Sequence, residues 1–272
     1  MPCNQRMPLS SFRRRPLSAW LPIVLAALAL SGSPAGAETI EESKRPFKVD
    51  DKTITMDCFT PGAAGRHPAV LLLHGSEGMR DALIYKCLAG DLARQGYVAL
   101  IAHYFERTAT ERIEPKDIRE NKELSAAWME TVRRAVLHAA TLPEVDRRWI
   151  GLLGFSLGAS LSLAVAAQTD VPVAAVVDLF GGLPEELEEN AGKLPPVLIV
   201  HGAKDRTVPV AQARALERLL RQHKRPCEMK IYEQQDHLFK GDRLGADACD
   251  ARTLTLTFFD KYLQPRCAIR AP

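Results

Sequence analysis

The chain is 272 residues long, 46% hydrophobic and 25% charged, the balance of a globular protein with enough chain for a large core. Its formal charge of +3 comes from the first 37 residues, which hold four arginines and no acid; beyond Ala37, 32 basic side chains face 33 acidic ones, a charge of −1. That balance leaves no basic patch to argue for nucleic acid, and no Cys-x-x-Cys or Cys/His spacing argues for zinc or another metal.

The N-terminal segment reads as an export signal. Arg13-Arg14-Arg15 precede an apolar run from Trp20 to Leu30, and Ala35-Gly36-Ala37 has the small-residue pattern of a cleavage site. The run is short for a membrane span, so a retained anchor is the lesser alternative. The arginines also hint at twin-arginine export, although their neighbours fit that signal poorly. The expectation is a signal peptide over 1–37, then one domain over 38–272, placed in the periplasm or secreted with no further membrane association. Removing Cys3 leaves five cysteines, of which Cys249 and Cys267 could pair.

From Glu38 the chain opens with a charged leader. Residues 52–59 alternate as one strand, ended by Pro61-Gly62. Ala69 to Leu73 is a continuous apolar run, as expected of a strand buried on both faces of a parallel sheet. His74-Gly75-Ser76-Glu77-Gly78 follows, then a helix over 81–95 closed by Gly96, and a buried strand over 97–102. Residues 104–120 are polar without periodicity and read as a long loop. Helical spacing returns in Leu124, Trp128, Val132, Ala135 and Val136, predicting a helix over 124–142.

Trp149 to Leu163 reads as an apolar strand, a tight turn carrying one serine, and a helix of small residues. The turn, Gly154-x-Ser156-x-Gly158, has the pattern of a nucleophile elbow. A serine at such a turn is held in a strained conformation, so its neighbours two residues away must lack bulk. The remaining elements are a strand over 171–180, an acidic segment over 185–189, a strand over 196–200, a helix over 210–222, a strand over 228–232 and a helix over 251–262. Strands alternate with helices, which predicts a doubly wound, mostly parallel sheet with helices on both faces.

In such a sheet the functional residues gather at the carboxyl ends of the strands. Ser156, Asp205 and His237 stand at those ends in that order. A serine hydroxyl needs a base to take its proton, histidine suits that role near neutrality, and a carboxylate fixes the imidazole tautomer. Asp205 follows a buried strand in Gly202-Ala203-Lys204-Asp205; read blandly, it caps the next helix. Asp178, at the end of the preceding strand, is the rival acid. His237 lies in a loop between the last strand and the last helix. His74 and His201 precede glycines at strand ends and read as satisfying local backbone groups. The negative oxygen formed on attack needs two donors, the amide of Leu157 and an amide of the loop after the first buried strand, Ser76.

These features together resemble the dienelactone hydrolase family of α/β-hydrolases, over roughly 50–265. The resemblance rests on the strand leading to His74-Gly75-Ser76-Glu77-Gly78, the stretch Ile101 to Arg107, the Gly154-Phe155-Ser156-Leu157-Gly158 elbow, the turn Gly202 to Pro209 and Asp236-His237-Leu238-Phe239. It implies the α/β-hydrolase fold and hydrolysis of esters or lactones through an acyl-enzyme without a cofactor. Two departures stand out: serine replaces the cysteine nucleophile of the best-known members, and Gly75 occupies the position of their glutamate. Arg107 matches a family arginine that grips the substrate carboxylate, while the second falls near Lys240-Gly241.

The sequence therefore points to an exported serine hydrolase of small-molecule esters or lactones. A peptidase or acyltransferase on the same scaffold is the enzymatic alternative, and a non-catalytic binding protein of this fold is the alternative of another class.

Overall fold

The computed structural model describes residues 39–184, 187–239 and 245–263. The proposed signal segment, Lys240-Gly241 and Cys267 lie outside these residues, as therefore does any Cys249–Cys267 bond.

The N-terminal part forms four short strands: β1 (Ile40–Lys44), β2 (Phe47–Val49), β3 (Lys52–Ile54) and β4 (Met56–Pro61). The α/β part follows as β5 (His67–Leu73), α1 (Ala82–Arg94), β6 (Val98–Ala102), α2 (Pro115–Glu120), α3 (Lys122–Ala139), β7 (Val145–Phe155) and α4 (Leu157–Ala166). It continues with β8 (Ala175–Leu179), α5 (Leu187–Asn190), β9 (Val197–Gly202), α6 (Ala211–Gln222), β10 (Cys227–Tyr232) and α7 (Ala246–Leu263).

Eight strands make one sheet in the order β1-β4-β6-β5-β7-β8-β9-β10. The six from β6 to β10 run parallel, and β4 and β1 add antiparallel strands at one side. This is the doubly wound sheet of the α/β-hydrolase fold. The apolar runs are buried on both faces because helices cover both. Leu71, Leu100 and Ile199 pack with Trp128 of α3, Leu161 of α4 and Leu216 of α6. Their strand neighbours Leu72, Ile101 and Val200 point the other way, toward Tyr85 and Leu92 of α1 and Phe258 and Phe259 of α7. From β5 the chain winds outward to β6, then returns to lay β7 on the opposite side of β5. The winding reverses there, so the loops after β5 and β7 diverge and open a crevice.

Three expectations need correction. The charged leader is strand β1, paired with β4 from Ile40↔Pro61 to Lys44↔Asp57. An edge strand with one polar side lacks the apolar run that marks a buried strand. The strand expected over 52–59 is broken at Thr55, whose N–H donates to Glu106 Oε2 at 2.6 Å and whose carbonyl accepts from the His103 amide at 3.0 Å. Before the break β3 pairs with β2 in a separate hairpin, and after it β4 joins the main sheet. Finally, 104–120 is not a plain loop. It contains a 3-10 turn over Tyr104–Thr108 and the short helix α2, with Tyr104 and Phe105 buried. Their burial depends on partners distant in the chain, which local periodicity does not reveal.

Candidate active site

The strand-to-helix turn between β7 and α4 holds Ser156 at φ 53° and ψ −114°. A side chain at positive φ is strained, and the strain is held by the elements on both sides. The Ser156 amide donates to Leu179 O at 2.8 Å, and its carbonyl accepts from the Ala159 amide at 3.0 Å. A Cβ on Gly154 would stand 2.3 Å from the Ala159 α-carbon, so a strand and a helix meeting this closely require glycine there.

Three separate loops bring Ser156, Asp205 and His237 together. His237 Nδ1 lies 2.6 Å from Asp205 Oδ2, and His237 Nε2 lies 3.0 Å from Ser156 Oγ. A carboxylate can only accept, so Nδ1 carries the proton and Nε2 is left to accept from the serine hydroxyl. All three side chains are buried. Asp205 is itself fixed: its Oδ1 accepts from the amides of Thr207 and Val208, each at 2.8 Å. Burial opposes its charge, but hydrogen bonds from His201, His237 and the Val208 amide outweigh burial and hold the carboxyl well below the usual carboxylate range.

Between the two candidate acids the geometry is decisive. Asp178 accepts the Gly181 amide at 2.8 Å through Oδ1, whereas His237 faces Asp205. Phe180 stands edge-on to the His237 ring at 6.2 Å between centroids and packs against Phe239 at 4.9 Å. Sequence reasoning missed this aromatic wall, because Phe180 follows directly on an ordinary buried strand and nothing local marks its partner.

The loop after β5 lies against the serine, since a Cβ on Gly75 would be 3.5 Å from Ser156 Cβ. Beneath it the His74 ring stacks on Tyr104, 4.1 Å between centroids and 12° from parallel. Tyr104 OH donates to His74 O at 2.8 Å, and Tyr85 OH accepts from the Gly75 amide at 3.2 Å. These contacts fix the loop that carries Ser76. Among the described residues, the Ser76 and Leu157 amides have no backbone acceptor. Both stand where the two loops diverge, Leu157 as the first residue of α4.

His74 and His201 satisfy backbone groups as expected. His74 Nδ1 donates to Gly75 O, and His201 Nε2 donates to Val208 O, both at 2.9 Å. Burial pushes the His74 imidazole down to about 4, so it is neutral at physiological pH.

A cleft of about 520 Å³ opens beside the β5 loop, walled by His74, Glu77, Met79, Phe105, Glu106 and Glu111 among others. Residues of the irregular stretch after β6 line it, whereas Ser156, Asp205 and His237 do not. Arg107 is not one of its walls. Its guanidinium instead meets Asp50 Oδ2 at 2.5 Å and Asp51 at 3.7 Å, on the turn between β2 and β3. The family position predicted a substrate contact; the hairpin, unseen in the sequence, supplies nearer carboxylates. Arg80 and Arg112 are the arginines that line the cleft. Among the described residues no cluster of His, Cys, Asp and Glu could hold a metal ion.

Residues 55–263 match the dienelactone hydrolase family. The chain belongs to that family. A carboxymethylenebutenolidase of Rhodococcus opacus is 27% identical over 195 residues, 66% of this chain and 76% of that protein. An esterase of Thermotoga maritima is 30% identical over 135 residues, 46% of this chain and 31% of its own. Among solved structures, a dienelactone hydrolase-like promiscuous phosphotriesterase from metagenomic libraries superposes with a TM-score of 0.70 at 21% identity, over 84% of this chain and all of the other. An acylaminoacyl peptidase of Pyrococcus horikoshii shares the fold at a TM-score of 0.68 and 16% identity, over 85% of this chain and 43% of its own.

Proposed function

We propose that this dienelactone hydrolase family member is a serine hydrolase that cleaves carboxylic ester or lactone bonds through an acyl-enzyme. Ser156 Oγ attacks the carbonyl carbon while its proton passes to His237 Nε2, and Asp205 stabilises the imidazolium that forms. The tetrahedral oxygen takes hydrogen bonds from the Ser76 and Leu157 amides, aided by the N-terminus of α4. Collapse breaks the bond to the leaving oxygen, which takes the proton back from His237; in a lactone that oxygen stays tethered to the acyl chain. Water, deprotonated by His237, then releases the acid and restores Ser156.

The observation that carries this reading is the 3.0 Å approach of Ser156 Oγ to His237 Nε2, with Asp205 2.6 Å behind the ring. Membership in a family with a carboxymethylenebutenolidase and an esterase among its relatives favours an ester or lactone over a peptide. An ester and lactone screen with Ser156→Ala as control tests it. Turnover is expected to disappear in the variant, together with labelling of Ser156 by a fluorophosphonate; undiminished hydrolysis would refute the assignment. The signal-like features of residues 1–37 support export as part of the same proposal, and an N-terminus at Glu38 in the mature protein is the expected result.

A further inference from the structure

Behind the Ser156–His237–Asp205 group lies a second set of buried polar atoms that the proposed reaction does not use. His201, on β9, is fully buried, and its Nε2 sits 3.3 Å from Asp205 Oδ2, the oxygen that also holds His237. Asp178, on β8, is 1% exposed. The register sets Asp178 opposite Ile199, so His201, two residues further on, is its diagonal neighbour on the same face of the sheet. His201 Nδ1 and Asp178 Oδ2 are both buried without a hydrogen-bond partner among the described residues.

No hydrogen bond joins these two atoms, so the two groups, diagonal neighbours in a buried site, act on each other through charge. The Nε2 proton of His201 is already committed to Val208 O and Asp205. A second proton on Nδ1 makes the ring an imidazolium flanked by the Asp178 and Asp205 carboxylates. The ionisable groups acting on His201 are those two acids. The α6 residues buried on this face, Ala213, Leu216 and Leu220, are apolar.

We propose that His201 and Asp178 are a positioning pair for the proposed hydrolase, orienting the Asp205 carboxylate and offsetting its charge so that His237 holds its proton less tightly. The inference rests on the serine hydrolase reading for its kinetic consequence, but the charge relation exists without turnover. Burial raises the Asp178 carboxyl to about 6, and hydrogen bonding to Asp205 helps to raise His201 against burial; both directions keep a proton within the pair. Asp178 is therefore the countercharge that favours a protonated His201 ring, not a spare triad acid.

The test is the pH profile of kcat/KM for wild type, His201→Gln, Asp178→Asn and the double variant, with a parallel NMR titration of the His237 ring. Gln keeps a donor toward Val208 and Asp205 without a charge, and Asn keeps an acceptor for the Gly181 amide. Each single variant should move the acid limb, and the His237 titration with it, upward by about half to one pH unit. The double variant should move them no further than either single one. Unmoved limbs with lowered Tm would reduce the pair to a structural role, and additive shifts would show that the two groups act separately; either result overturns the proposal. Should His201→Gln fail to fold, the near-isosteric Asp178→Asn carries the test. If no ester or lactone is hydrolysed at all, the functional reading fails, while the NMR titration still decides the pair.

Discussion

Gly158 stands against the carbonyl of His74 with no room for a methyl group: a Cβ there would lie 2.5 Å from His74 O and 2.4 Å from Leu73 O. The first turn of α4 thus presses on the end of β5, and this contact sets the loop carrying Ser76 beside Ser156. Because the opposing atoms are backbone, no side-chain rotation relieves the clash. Gly158→Ala should cost about 3 kcal/mol in urea unfolding. It should also lower kcat more than its stability loss explains, because the shift separates the two proposed oxyanion donors. Unchanged stability and turnover would mean that α4 and β5 part easily.

Asp205 meets His237 Nδ1 through a single oxygen at 2.6 Å, the contact that fixes the tautomer in the proposed reaction. Asp205→Asn can offer an N–H to that position and turn the ring over, leaving Nε2 protonated and unable to accept from serine. A fall of about 10²–10⁴ in kcat, with little change in KM, is the expected result with any ester that the wild type cleaves. Asp178→Asn should cost far less. Equal losses in the two variants would restore Asp178 as a rival acid.

Arg107 faces the β2–β3 turn, where Asp50 is 68% and Arg107 23% exposed. An ion pair so open to solvent contributes less than about 1 kcal/mol. Arg107→Gln should leave KM for a carboxylate-bearing ester within about twofold of wild type. A tenfold rise in KM for Arg107→Gln alone would return that residue to the substrate.

His74 gives the fold a predictable acid sensitivity. Its folded-state value of about 4 lies below the 6.5 of an unperturbed imidazole, so protonation favours the unfolded chain. The stabilisation is fully present above pH 6.5 and drains away as pH falls toward 4, a loss of about 3 kcal/mol. Asp205, depressed by its hydrogen bonds, adds a further loss below about pH 4 as it takes up a proton. Urea unfolding of wild type and His74→Phe at pH 7 and pH 4.5 checks this. The gap between the two proteins should narrow at the lower pH, and a gap that widens would contradict the sign.

The parallel sheet was legible because a strand buried on both faces must be apolar at every position, as Ala69–Leu73 and Val197–Val200 are. Ser156 and Asp205 were legible because each follows such a strand at the end where the crevice opens, whereas His237 follows the partly exposed β10 and was read from its order in the chain. Ile40–Lys44 and the segment 104–120 were not, since an edge strand and a short turn packed under distant helices leave no periodic signature. Among the site residues, His201 was read as a backbone partner, and it is one. Its approach to Asp205 had one available signal, the spacing of four residues across a tight turn, which does not show which way the ring faces.

What the sequence determined alone is the list of chemical groups and the end of the sheet where they gather, since strand burial and glycine spacing are written in local residue types. Tertiary structure decided which acid meets His237, which arginine is consumed by a hairpin and which buried histidine stands behind the carboxylate. Those choices depend on distances of a few ångströms between segments far apart in the chain, and local periodicity carries no term for them.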